Sequence, residues 1–256
     1  MQRNFDFSPG KEINMNKKSL RVTEVGSWWI LGAVILSLVT AGSLCPPAYG
    51  ADYRMEAEQL VEKARFSFES IMADKNMEAF HDIVKRGKGI FIAPQVLEGA
   101  FIFGASGGSG VFLAWDGQTR KWNGPAFYRI GGASFGLQIG GQASEVILLA
   151  MTDRGVSSLL ASSVKLGGDV GIAVGPVGAG ASAATANLSA DILSFSRAKG
   201  LYGGISLDGA VVAIRHALND AYYGKKLDVP DIVVKGEGKN PQAGRLLEAI
   251  HKATGK

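Results

Sequence analysis

The sequence predicts an α+β fold: a mostly antiparallel β-sheet or sandwich with glycine-rich turns, flanked by N-terminal and C-terminal helices. Three observations carry that expectation. Between Lys85 and Gly141, apolar runs rich in Phe, Ile and Val (Ile90–Ala93, Ala100–Phe103, Val111–Trp115) suit a pleated, packed surface. Gly104, Gly107, Gly108 and Gly110 fall between two of these runs, where a turn or bulge is expected. From Ser134 to Gly140 the side chains alternate, with Phe135, Leu137 and Ile139 on one face and Ser134, Gly136 and Gln138 on the other.

The chain has 256 residues, 46% of them hydrophobic, enough for one sizeable core plus appendages. Its 35 glycines are scattered among apolar runs without a collagen period, so they read as turn and close-packing residues. The formal net charge is +4. Residues 1–50 hold five Lys/Arg and three Asp/Glu, so the remainder balances 22 basic against 20 acidic residues. A surplus of two gives no footprint for nucleic acid.

The N-terminus has the layout of an export signal. Lys17, Lys18 and Arg21 precede an apolar or small-residue stretch from Trp28 to Ala41, and Ala48-Tyr49-Gly50 offers small residues at the cleavage positions. Met15 is an alternative start, and an uncleaved membrane anchor is the alternative fate of the apolar stretch. Leu44 directly before Cys45 departs from the small residue that a lipoprotein site needs. Cleavage after Gly50 therefore leaves a periplasmic or envelope-associated chain with no cysteine and no disulfide.

From Tyr53 to Arg86 the period is helical. Leu60, Val61, Ala64, Phe68, Ile71 and Met72 share one face of a first helix. Met77–Lys85 forms a shorter second one, with Phe80, Ile83 and Val84 inward. After the central stretch, Glu145–Met151 reads as a strand and Asp153 as the N-cap of a helix through Ala161. Ile192–Ser196 and Leu201–Leu207 form a hairpin pair, and Arg215–Tyr222 a helix that stops at Gly224. The organisation is then a signal peptide at 1–50, a folded domain at 51–227, and a polar linker with a terminal helix at 228–256.

Several strings resemble catalytic motifs. Gly104–Gly108 and Gly132–Gly136 both fit G-x-S-x-G, yet each serine is followed by another strand, and a nucleophile elbow needs a helix there. Gly178–Ala183 fits the dinucleotide fingerprint but lacks a crossover helix of convincing length. His81, His216 and His251 lack metal-ligand spacing. No enzyme activity, cofactor or metal is expected. A serine hydrolase using Ser106, Ser134 or His216 ranks third, behind two binding roles.

The first of those roles, lipid binding, rests on two basic clusters beside apolar residues. Lys85, Arg86 and Lys88 flank Phe91, and Arg197 and Lys199 lie beside Phe195 and Tyr202. Cations next to apolar groups suit an anionic membrane surface. The alternative is two ordinary solvated turns on a structural or protein-interaction domain that ignores lipid.

An ordered series of motifs resembles the SYLF domain family. They are KRGKGIFIAP at Lys85–Pro94, GASGGSGV at Gly104–Val111, GGASFGLQIG at Gly131–Gly140, LGGD at Leu166–Asp169, AVGPVG at Ala173–Gly178, SFSRAKGLYGGISLDG at Ser194–Gly209 and AYYG at Ala221–Gly224. The resemblance covers roughly residues 55 to 225. It implies a non-catalytic lipid-binding module, with Lys85, Arg86 and Lys88 in the family's opening basic motif and Arg197 and Lys199 in its SRxKG motif. The eukaryotic members bind phosphoinositides and some bind actin. An exported chain would meet neither, so the partner it implies here is an anionic phospholipid or another envelope lipid, with peripheral membrane association.

Overall fold

The apolar runs of the central stretch pair as four long antiparallel strands: β1 (Gly89–Ala100), β2 (Phe103–Asp116), β3 (Lys121–Phe135) and β4 (Gly140–Ala150). The computed structural model describes residues 49–100, 103–135, 140–176, 189–198, 201–202 and 207–256. The expected signal peptide up to residue 48, the fingerprint at Gly178–Ala183 and Lys199 lie outside the described residues. Five shorter strands complete the sheet: β5 (Ser163–Lys165), β6 (Ile172–Val174), β7 (Ile192–Ala198), β8 (Leu201–Tyr202) and β9 (Val211–Ile214). Their order is β5-β9-β3-β2-β1-β4-β7-β6, with β8 pairing β7. Only β6 and β7 run parallel among the described strands. The α+β class with a mostly antiparallel sheet is as the sequence predicted.

Helices cover both faces of this sheet. On one face lie α1 (Tyr49–Met72), α2 (Glu78–Ile83), α4 (His216–Tyr223) and α6 (Gly244–Thr254). On the other lie α3 (Asp153–Leu159) and α5 (Val229–Val233). Helix α1 buries Leu60, Val61, Ala64, Phe68 and Ile71 of the stripe its periodicity predicted, extends it back to Ala57, and leaves Met72 only partly buried. Phe68 meets Phe80 edge-on, and Phe80 meets Phe195 at 4.9 Å between centroids. Two faces of burial explain why β1 reads as a nearly continuous apolar run through Ile90, Phe91, Ile92 and Ala93.

The glycines expected at turns sit elsewhere. Gly104, Gly107, Gly108 and Gly110 are all residues of β2. A side chain on Gly108 would place Cβ 2.4 Å from the Gln95 carbonyl oxygen, and one on Gly110 would meet the Phe91 ring at 2.5 Å. Close approach, not positive φ, demands glycine there. The bulge lies instead in β1, where pairing with β2 shifts between Ile92 and Gln95. Asp153 also differs from expectation. Thr152 is the N-cap of α3, its hydroxyl accepting from the Gly155 N–H at 3.0 Å.

The segment expected as a linker with an appended helix belongs to the same compact unit, Ala48–Lys256. Val229, Ile232 and Val233 are buried against the sheet, and Leu246 and Ile250 fill the core beside α1. Trp122 Nε1 donates to Thr254 Oγ1 at 3.2 Å inside that core. Gly224 ends α4 at φ +66°, as the C′ glycine predicted. Gly108→Ala should destabilise the protein by roughly 1–3 kcal/mol. Gly107→Ala, which meets nothing within 4 Å, should change stability by no more than about 0.5 kcal/mol. Urea midpoints check the contrast, and equal losses would discard it.

Candidate functional site: a cationic end and a groove beneath the first helix

Chain geometry brings the first basic cluster to the end of the sheet where β1 begins. A 3-10 turn at Val84–Arg86 leads into Gly87 and Lys88. Burial of Ile83 and Val84 anchors the turn and leaves Lys85 and Arg86 exposed. Lys85 pairs with Asp82 at 3.0 Å and Lys88 with Asp153 at 2.7 Å. Both are exposed pairs that water and salt screen, so neither cation is tied up strongly. No ion pair reaches Arg86 among the described residues.

A fourth cation joins them from far along the chain. Lys256 Nζ donates to the Gly87 carbonyl at 2.7 Å and lies 5.7 and 5.8 Å from the Trp115 and Trp122 ring centroids. Burial, and then the nearby Lys88 charge, hold its ammonium below the usual lysine range. No local sequence signal places Lys256 here, because the contact spans 169 residues. This end of the molecule therefore gathers Lys85, Arg86, Lys88 and Lys256, two of them paired with the exposed carboxylates of Asp82 and Asp153, beside the half-buried Trp115.

Arg197, the described member of the second predicted cluster, is not brought to the same place. Gly89 stands level with Ala150 and Ile192, whereas Arg197 pairs with Glu145 five residues further along β7. At ~3.3 Å per residue that is a separation of about 16 Å. Arg197 is also engaged rather than presented to solvent. Its guanidinium pairs with Glu145 and donates to Ser70 Oγ of α1 at 2.8 Å, with only 16% of the side chain exposed. Glu145 sits directly across the β4–β7 ladder, a partner that sequence reasoning missed.

The Arg197–Glu145 pair closes one end of a groove of about 640 Å³ between α1 and the sheet. Lys63 and Phe66 of α1 line one wall, and Gln95 and Ser144 form part of the floor. Phe66 is 59% exposed, with the Arg65 guanidinium 4.0 Å from its ring centroid. The hydroxyl of buried Ser67 has no hydrogen-bond partner among the described residues. A spacing argument finds none of this, since Phe66 falls off the buried stripe and reads only as an odd residue on a polar face.

The hydrolase candidates do not assemble. Ser106 lies opposite Gly132 and Ser134 opposite Gly104 in the β2–β3 ladder, so both belong to paired strands and neither to a strand-turn-helix elbow. Tyr128, donating to the Leu159 carbonyl, is pushed far above the ordinary phenol range by burial and serves the core. Among the described residues no three His, Cys, Asp or Glu side chains gather as a metal cluster.

Two outcomes follow from these geometries. Glu145→Ala strands the largely buried Arg197 charge and should cost on the order of 1–3 kcal/mol in chemical denaturation; no loss would show the pair to be ornamental. Lys256 should titrate below the other lysines by NMR. Its unfolded form then binds more protons in that alkaline window, so its contribution to stability rises as pH climbs from the folded to the unfolded value. Titration of Lys256 together with the exposed lysines would contradict the burial.

Residues 131–253 match the family described as Ysc84, Las17-binding protein actin regulator. Protein YSC84 of Saccharomyces cerevisiae is 32% identical over 178 residues, covering 65% of this chain and 37% of that protein. SH3 domain-containing YSC84-like protein 1 of Homo sapiens is 30% identical over 178 residues, covering 68% of this chain and 51% of that protein. LAS seventeen-binding protein 3 of Saccharomyces cerevisiae is 30% identical over 168 residues, covering 63% of this chain and 36% of that protein. The chain thus spans between about a third and a half of the length of these relatives.

Proposed function

Because this chain belongs to the SYLF (Ysc84) domain family, we propose that it is a non-catalytic binding module that docks on anionic lipid at the cell envelope. The observation that carries the reading is the convergence of Lys85, Arg86, Lys88 and Lys256 on one end of the sheet. Lys85, Arg86, Lys88 and Lys256 place four cations close together, and only Lys85 and Lys88 pair with side-chain carboxylates among the described residues. An anionic bilayer would compete with Asp82 and Asp153 for Lys85 and Lys88, because exposed pairs hold their partners weakly. Trp115 supplies an amphipathic ring of the kind that rests at a headgroup boundary.

The envelope location rests on the signal-like pattern of residues 17–50. The family description speaks of Las17 binding and actin regulation, and one relative is named for LAS seventeen binding. The lipid reading for this chain relies on its own cationic end.

Vesicle co-sedimentation of residues 51–256 tests it. The protein should sediment with anionic and not with neutral phospholipid, and salt should weaken binding. At about 1 kcal/mol per cation near the surface, Lys85→Ala/Arg86→Ala/Lys88→Ala should reduce affinity by tenfold to roughly a hundredfold. Binding that ignores lipid charge, or an unaffected folded triple variant, would overturn the reading.

A further inference from the structure

The groove beneath α1 lies away from the cationic end, and the membrane reading leaves it unused. Its composition is unlike either a solvated surface or a packed core. Phe66 projects into it while 59% exposed, although the same helix has a full apolar stripe buried elsewhere. An aromatic wall beside a concave, partly polar floor is the usual make-up of a small-molecule site, and about 640 Å³ is within the usual size.

Charge narrows the ligand class. Arg197 and Glu145 neutralise each other at one end of the groove. Lys63, on the same wall as Phe66, is exposed and has no ion pair among the described residues. One uncompensated cation therefore remains. Hydrogen-bonding capacity is left over as well. Ser70 Oγ accepts from Arg197 and keeps its own proton to donate. The Ser67 hydroxyl, buried at the foot of Phe66, is unpartnered among the described residues, and the exposed Gln95 amide faces the same space.

We propose that this groove binds a small organic acid with an apolar body. The single carboxylate engages Lys63 and the neighbouring serine hydroxyls, and the body lies along Phe66. A polyanionic headgroup is a poor fit, because Glu145 faces the groove and only one cation is unmatched. The β1 bulge is what makes the floor polar, since it turns Gln95 toward α1.

The test uses dodecanoate below its micellar concentration, titrated calorimetrically into residues 51–256 without any membrane. Single-site, saturable binding is expected, and dodecanol, which lacks the charge, should bind more weakly. Lys63→Ala and Phe66→Ser, both at exposed positions, should each weaken dodecanoate by roughly tenfold while leaving the circular dichroism melt in place. The triple variant at Lys85, Arg86 and Lys88 should bind dodecanoate as the parent does, so that failure of the vesicle reading and failure of this one are distinguishable. Absence of saturable binding, or equal binding by both groove variants, would overturn the proposal. So would binding seen only when the acid is embedded in neutral vesicles, which would indicate a surface contact and not a groove ligand.

Discussion

One extra residue near Pro94 organises the molecule. Before it, Ile90 and Ile92 of β1 face the helices and Phe91 and Ala93 face the opposite core. After it, the alternation is inverted: Val96 joins the opposite core, and Gln95 and Leu97 emerge on the helix side. A strand's side chains have a period of two, so a single-residue bulge exchanges its faces. Here the exchange occurs where α1 crosses the sheet. On one side of that line the sheet is packed on both faces. Beyond it, on the helix side, the surface carries Gln95, an exposed Leu97 and small residues such as Gly107 and Ala143.

The remaining architecture is consistent with that division. The packed half holds the aromatic contacts of Phe68, Phe80 and Phe195 and the Trp122–Thr254 hydrogen bond. Polar ties secure the ends of α1 to strands it crosses. Arg215 pairs with Glu56 near the start of the helix and donates to Ser109 of β2 at 2.9 Å. Arg197 donates to Ser70 near its end. Both guanidiniums are more than three-quarters buried with their carboxylates alongside, which gives direction to a contact that apolar packing alone would leave free to slide. A helix held at two points over a sheet whose floor turns polar beneath it leaves a groove along its length.

The two candidate sites differ in their physics. At the start of β1, cations gather at an exposed end where screened pairs are easily exchanged. Under α1, a cation, an aromatic ring and two serine hydroxyls line an open groove. The family match runs over residues 131–253, from within β3 into α6, so it takes in Glu145 and Arg197 but not Lys85–Lys88, Lys256, Lys63 or Phe66.

The sequence by itself determined the α+β class, the buried stripe of α1, the helix stop at Gly224 and the basic turn at Lys85–Lys88. Each depends on neighbours within a few residues, where periodicity, capping and φ preference act. It placed the β2 glycines in turns because a lone strand gives no hint that Gln95 and Phe91 press against it. It set residues 228–256 apart because short helices such as α5 acquire their apolar role only once a sheet exists to receive Val229 and Ile232. Tertiary structure alone decided that Arg197 faces Glu145, that Lys256 joins Lys88, and that Phe66 overlooks a groove. Those outcomes depend on strand register and on contacts spanning 52 and 169 residues, and no local pattern encodes what chain folding brings together over such separations.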